Sequence, residues 1–322
     1  MRLSLCVLLL IVAGISTPRG YAQPFHAGFT RLTIRDVEPF DAFVAYPTQA
    51  PEIPVQDGPF TLAASRDVPV APVSSRAPYP VVLFSHGSGR GPGTPLVHRD
   101  LLLHLARQGF IVVAPFHPGT RQPLKDRPRQ VRKALATAQA DSRFAAAVDP
   151  ARAGMIGFSF GGAVTLIAAG AMADLAHLSA YCREHRDDPR ACDGIPTDGS
   201  LDNVPAPKSP DTVSLKALVL LEPFGALFER QGLAAIDLPV LLYHALQSDL
   251  RVEGNAGALA RALPRPPQHL SVPGRHFVFV DPCPAMLLAQ APVVCSDPPD
   301  VDRAAIHQRL RPEVADFLRR NL

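Results

Sequence analysis

The chain predicts an α/β fold, a mostly parallel central sheet with helices on both of its faces. Three observations carry that reading. Wholly apolar runs recur at Val81-Val82-Leu83-Phe84, Phe110-Ile111-Val112-Val113-Ala114, Ala217-Leu218-Val219-Leu220-Leu221 and Pro239-Val240-Leu241-Leu242-Tyr243. Each has strand length and no polar alternation, as strands buried on both faces require. Helical apolar spacing separates the early runs, and the order strand, helix, strand implies right-handed crossovers and parallel pairing. Finally, residues 173–213 lose all period and gather Asp, Pro and Gly, which predicts a lid-like insertion over the carboxyl edge of the sheet.

Taken in order, the chain opens with Arg2, an apolar core from Leu3 to Ile15, and a polar, turn-prone stretch to Ala22. Basic, apolar and small-residue regions in that order describe a secretory signal peptide over residues 1–22, cut after Ala22. The apolar run is shorter than the roughly 20 residues that cross a bilayer. The remaining 23–322 is expected to form one domain, large enough for a well-buried core. Losing Arg2 and Arg19 with the leader takes the formal charge from +3 to +1, which gives no electrostatic reason to expect nucleic acid or an anionic membrane as partner.

Between Phe29 and Pro47, Arg31-Leu32-Thr33-Ile34-Arg35 and Ala42-Phe43-Val44-Ala45-Tyr46 suit two edge strands joined by a turn. A Pro-rich connector from Thr48 to Pro80 is too broken for helix. Leu101 to Gln108 reads as a helix closed by Gly109, and Val131 to Phe144 as another. Asp149-Pro150 reads as a turn into the short strand Gly154-Met155-Ile156-Gly157-Phe158, and Val301 to Leu322 as a closing helix. Outside the leader the cysteines are Cys182, Cys192, Cys283 and Cys295, two close pairs that predict two local disulfides in an oxidising compartment. Three connectivities exist; the local one is favoured because each bridge closes a short loop. Without paired Cys-x-x-Cys spacing, a zinc site is not expected.

The chemistry is expected at Gly157-Phe158-Ser159-Phe160-Gly161, the Gly-x-Ser-x-Gly form of a nucleophile elbow. An apolar strand precedes Ser159 and a small-residue helix follows it, the context such an elbow needs. A serine hydroxyl requires a base, which in this chain order comes later: His276, on the Pro273-Gly274 loop, with His269 and His307 as weaker candidates. The base in turn needs a carboxylate to fix its tautomer. Asp249 follows the strand ending near Tyr243, and Glu222, at the end of the preceding strand, stays open as the alternative. Oxyanion donors are expected from the N–H of Phe160 and from the loop Ser85-His86-Gly87-Ser88-Gly89, most directly Ser88, with His86 bracing that loop.

With those residues placed, the chain from about Phe29 onward resembles bacterial predicted dienelactone hydrolases and, more distantly, platelet-activating-factor acetylhydrolases. The motifs carrying the resemblance are Phe84 to Gly89, Ile156 to Gly162, Asp249, and Gly274-Arg275-His276-Phe277 followed by Cys283. The resemblance implies an α/β-hydrolase fold and carboxylic-ester hydrolysis without a cofactor. Dienelactone hydrolases use cysteine where this chain has Ser159, so the fold and the triad are carried over and the substrate is not. The expected protein is an exported serine esterase acting on small-molecule esters, periplasmic or secreted, without stable membrane insertion. A peptidase or amidase with the same triad and a non-catalytic binding protein on the same scaffold are the alternatives.

Overall fold

A computed structural model describes residues 25–73, 78–88, 93–119, 122–204 and 211–322. The expected signal peptide lies outside these residues. The chain opens with β1 (His26–Ile34) and β2 (Phe40–Thr48), which pair antiparallel. Next come β3 (Ile53–Asp57) and β4 (Phe60–Arg66), then β5 (Tyr79–Ser85). A single 3₁₀ turn, Pro95–His98, leads into α1 (Arg99–Arg107). Then follow β6 (Ile111–Pro115), α2 (Pro123–Ala140), β7 (Val148–Phe158) and α3 (Phe160–Ala168). The irregular region holds α4 (Leu175–Glu184) and α5 (Pro189–Cys192). The remainder is β8 (Ala217–Leu221), β9 (Val240–Ala245), α6 (Ala256–Ala262), β10 (Gln268–Val272), a 3₁₀ turn at His276–Phe279, α7 (Ala285–Gln290), α8 (Pro292–Cys295) and α9 (Arg303–Asn321).

Among the described residues the strands form one sheet in the order β10-β9-β8-β7-β5-β6-β2-β1-β4-β3. From β6 to β10 every neighbouring pair is parallel. The period of two along each strand sorts side chains onto two cores. Val81, Leu83, Met155, Leu218 and Leu220 face the core shared with α2 and α3, whereas Val82, Phe84, Ile156, Val219 and Leu221 face the one shared with α1 and α9. That double burial is why these strands read as unbroken apolar runs. Strand β5 lies between β6 and β7, so the chain leaves it in one direction and returns on the other side. Ligands of open α/β sheets bind at such a reversal, at the carboxyl ends of the strands.

Several elements differ from the sequence reading: β1 and β2 are not edge strands, since β4 flanks β1 and β6 flanks β2, and α2 ends at Ala140 rather than Phe144. The Pro-rich connector contains β3 and β4, because β4 finds a parallel partner in β1 and β3 a partner in β4. Helix α2 begins at Pro123 rather than near Val131: Pro123 suits a first helical turn, and Pro128 is carried inside the helix. Strand β7 begins at Val148, with Asp149 in register opposite Pro80, and a register shift between Pro80 and Val81 absorbs residues 150–152, so that the Asp149-Pro150 pair lies within the strand rather than in a turn before it. The disulfides are Cys182–Cys192 and Cys283–Cys295. No helix of the described residues is long and apolar enough to cross a membrane.

Candidate active site

Ser159 stands between β7 and α3 with φ 54° and ψ −121°. A non-glycine residue in that region is strained and persists only where its surroundings over-determine it. Here they do. Ser159 N–H donates to Leu221 O on β8 (3.0 Å), and Ser159 O accepts from Gly162 N (2.8 Å) and Phe224 N (3.0 Å). The flanking glycines are obligatory for a steric reason: a Cβ at Gly157 would overlap the Gly161 carbonyl, and one at Gly161 would overlap the carbonyl of Ser85. The turn is thus pressed against the end of β5 so closely that only hydrogen fits. Phe160 is the first residue of α3, and its N–H has no partner within the helix by position.

His276 opens the 3₁₀ turn after β10, is buried at 1 % exposure, and places Nε2 3.0 Å from Ser159 Oγ. Its ring packs against Phe158 (5.2 Å between centroids) and edge-on to Phe277 (5.0 Å). The sequence-predicted nucleophile and base are therefore brought together. The predicted acid is not joined to them: Nδ1 of His276 has no hydrogen-bond partner among the described residues. Asp249 instead accepts from Arg190 Nη2, a residue of α5 inside the irregular region. Burial acts to raise the Asp249 pKa, and Arg190, with a smaller contribution from His276, overcomes this and holds it below the ordinary carboxylate range. For His276 burial is the largest influence and lowers the pKa; Arg190 lowers it further, and Asp249 acts the other way. Arg190 thus occupies the carboxylate that would otherwise raise the basicity of the ring.

Glu222, the alternative acid, directly follows β8 with φ 46° and is buried. It accepts from Ala245 N (2.5 Å) and also bonds the Ser248 side chain. Burial is the main reason its pKa rises to about 7, with the charge of Asp249 adding to it. Among the described residues no hydrogen bond joins Glu222 to His276; its carboxylate braces the loop that carries Asp249. Arg190 is located by the residues around it. Asp188 accepts from Tyr181 Oη (2.7 Å) and Asn255 Nδ2 (3.1 Å), tying the Cys182–Cys192 loop to the segment beyond β9. The Arg190 guanidinium also lies 4.9 Å from the Phe277 ring centroid.

The opposite wall is the loop after β5. A Cβ added to Gly87 would lie 3.3 Å from Ser159 Cβ, so this loop runs alongside the nucleophile. His86 Nδ1 donates to Gly87 O (2.7 Å) and Nε2 accepts from His117 N (3.4 Å), which assigns the tautomer. Burial, with Arg127 second, pushes the His86 pKa down to about 3, so the ring is neutral and braces the loop as expected. Sequence reasoning missed Arg127. From α2 it donates to His86 O (3.0 Å), Gly87 O (3.5 Å) and Ser88 Oγ (3.3 Å) while lying 5.3 Å from the Phe160 ring centroid. A trans peptide points its C=O and N–H in opposite directions. Gripping the Gly87 carbonyl therefore aims the Ser88 N–H away from Arg127. The signal that could have found Arg127 is Pro123 as a helix start, which places Arg127 and Gln130 on one face of α2. Gly89, at the end of the loop, lies outside the described residues. Among the described residues no group of three or more His, Cys, Asp or Glu could hold a metal ion.

No family model matches the chain, and no curated protein matches it. Among solved structures it is similar to a ferulic acid esterase from Streptomyces cinnamoneus, with 19% identity, a TM-score of 0.60, and coverage of 96% of this chain and 92% of that one. At that identity the likeness is one of fold. Together with the parallel sheet, its helical layers and the strained turn at the carboxyl edge, it identifies the architecture as the α/β-hydrolase fold.

Proposed function

We propose that the protein is a serine esterase that cleaves carboxylic esters through an acyl-enzyme. The observation that carries this is the 3.0 Å approach of Ser159 Oγ to His276 Nε2 at a strained strand-to-helix turn. Ser159 Oγ attacks the ester carbonyl carbon as its proton passes to His276 Nε2. The ester C–O bond then breaks, and the leaving alkoxide takes that proton. Water attacks the acyl group, gives a proton to His276, and the acyl–Oγ bond breaks as Oγ recovers it, releasing the carboxylic acid. The N–H groups of Phe160 and Ser88 hold the oxyanion in both halves. Asp249 is the acid that orients the ring once its carboxylate turns from Arg190 to Nδ1.

Residues 173–213 serve as the lid that shapes the substrate pocket, with α5 reaching the site through Arg190. The aromatic rings of Phe160, Phe224 and Phe277 around the serine favour an uncharged acyl chain or an aromatic ester, and the ferulic acid esterase of the same fold makes feruloyl esters a sensible test set. The two disulfides support export to an oxidising compartment, directed by the signal peptide of residues 1–22.

The test is hydrolysis of p-nitrophenyl esters of graded length and of feruloyl esters and amides, beside fluorophosphonate labelling and a Ser159→Ala control. Ester turnover is expected in the wild type, with a loss of about 10⁴-fold or more in Ser159→Ala. A folded wild type that neither turns over esters nor accepts the label overturns the reading in favour of a binding protein. Amide turnover exceeding ester turnover reassigns it to peptide or amide bonds.

A further inference from the structure

Beneath the turn that carries His276 lies a buried polar cluster that the reaction itself does not use. The backbone carbonyls just after His276 are gripped by basic side chains from α9, from α1 and from the 3₁₀ turn that precedes α1. His307 Nε2 of α9 donates to Val278 O (2.7 Å), His98 Nδ1 to Phe279 O (3.0 Å), Arg303 Nη1 to Val280 O (3.3 Å), and Arg99 Nη2 to Pro282 O (3.0 Å). Asp281 sits among them with no exposure of its side chain. Its Oδ2 accepts from Asp100 N (2.7 Å), its Oδ1 lies 3.2 Å from His307 Nδ1, and its own N–H donates to Val97 O (2.8 Å). His307, a weaker candidate for the base in the sequence, is 2 % exposed.

A second connection reaches the base through its ring. His98 packs on Phe158 (5.0 Å between centroids), and Phe158 packs on His276 (5.2 Å). The same histidine therefore holds the backbone beyond the base and, through one aromatic ring, the face of the base itself. Four backbone carbonyls of one 3₁₀ turn and its exit are thus held by buried side chains, and breaking those contacts would strand polar groups away from water, which makes the turn hard to displace.

We propose that this cluster fixes the position of the catalytic base, with His307 and Asp281 as its central positioning residues. Among the described residues His276 Nδ1 has no hydrogen-bond partner, so the ring is oriented by its backbone, its packing on Phe158 and Phe277 and its contact with Ser159 until Asp249 arrives. The inference rests on the serine-esterase reading. A displacement of about 1 Å at a catalytic group is enough to slow a reaction on the order of 10²-fold.

The test compares His307→Leu, which loses both contacts, with His307→Gln, whose amide can still donate to Val278 O. Each is measured for kcat, KM and the rate of fluorophosphonate labelling, after circular dichroism has established folding. His307→Leu is expected to lower kcat and labelling together by roughly 30-fold at a KM within about twofold, and His307→Gln to recover to within about threefold of wild type. A folded His307→Leu protein that labels at the wild-type rate overturns the proposal, as does a His307→Gln protein equally slow. Should His307→Leu not fold, Asp281→Asn decides: labelling slowed by about tenfold supports the proposal, and an unchanged rate overturns it. A wild type that does not label at all overturns both this inference and the serine reading beneath it.

Discussion

Ser159 and Asp249, the proposed nucleophile and the proposed acid, are held by opposite means. Around Ser159 the backbone decides everything: the Gly161 carbonyl and the end of β5 approach so closely that a methyl group would clash, and Ser159 is anchored to β8 through its N–H and to Gly162 and Phe224 through its carbonyl. Asp249 stands on a loop with its side chain 47% exposed, and its partner is a single arginine from a disulfide-closed loop. One region is pre-organised before any substrate arrives, and the other has a choice of partners. A sterically determined group keeps one geometry; an exposed ionic contact is weak and exchangeable, because water screens it. The acid is thus the part of the site whose geometry a substrate or a solvent change can alter.

The sharpest way to break this comparison is to remove the acid. If Asp249 turns to His276 during the reaction, Asp249→Asn lowers kcat by about 10²–10⁴-fold, whereas Glu222→Gln, which only braces the loop, lowers it less than about tenfold. Steady-state kinetics on one p-nitrophenyl ester separates the two, and a larger loss in Glu222→Gln makes Glu222 the acid. A smaller effect probes the rigid side. Arg127→Met releases the His86 and Gly87 carbonyls, and kcat is expected to fall roughly tenfold with KM little changed, since one oxyanion donor is misaimed rather than lost. Inhibition by a boronic acid, which mimics the tetrahedral anion, should weaken by the same factor.

The smallest effect on rate concerns Arg190. Its cation disfavours protonation of His276 and occupies Asp249. Arg190→Gln removes a positive charge beside the imidazole and frees a negative one, and both changes favour the protonated ring. The acid limb of kcat/KM therefore moves to higher pH, while the plateau above pH 8 changes less than about threefold. A profile measured from pH 5 to 9 checks this, and a limb that stays in place or moves down shows that Arg190 does not act on the base.

How much of this was legible follows from the same contrast. The parallel strands announce themselves because burial on both faces leaves no room for polar residues, so β5, β6, β8 and β9 were visible as apolar runs. The elbow was visible because its glycines answer a local steric demand. Strands β3 and β4 were hidden: Ile53-Pro54-Val55-Gln56-Asp57 has little apolar character, and its pairing depends on β4 lying against β1, a contact distant in sequence. Arg190 was hidden for a related reason, since its position is set by Asp188, Tyr181 and Asn255 rather than by any periodicity of its own. Burial of His307 was equally illegible, because α9 interleaves arginines with its apolar face and reads as solvated.

The outermost strand, β3, pairs with β4 alone and carries Pro54 in a ladder of only five residues. A proline has no amide hydrogen to offer, so this margin is a poor template for a strand from another molecule. For a sheet with so many apolar strands, that blunt border disfavours the addition of a further strand at this one side.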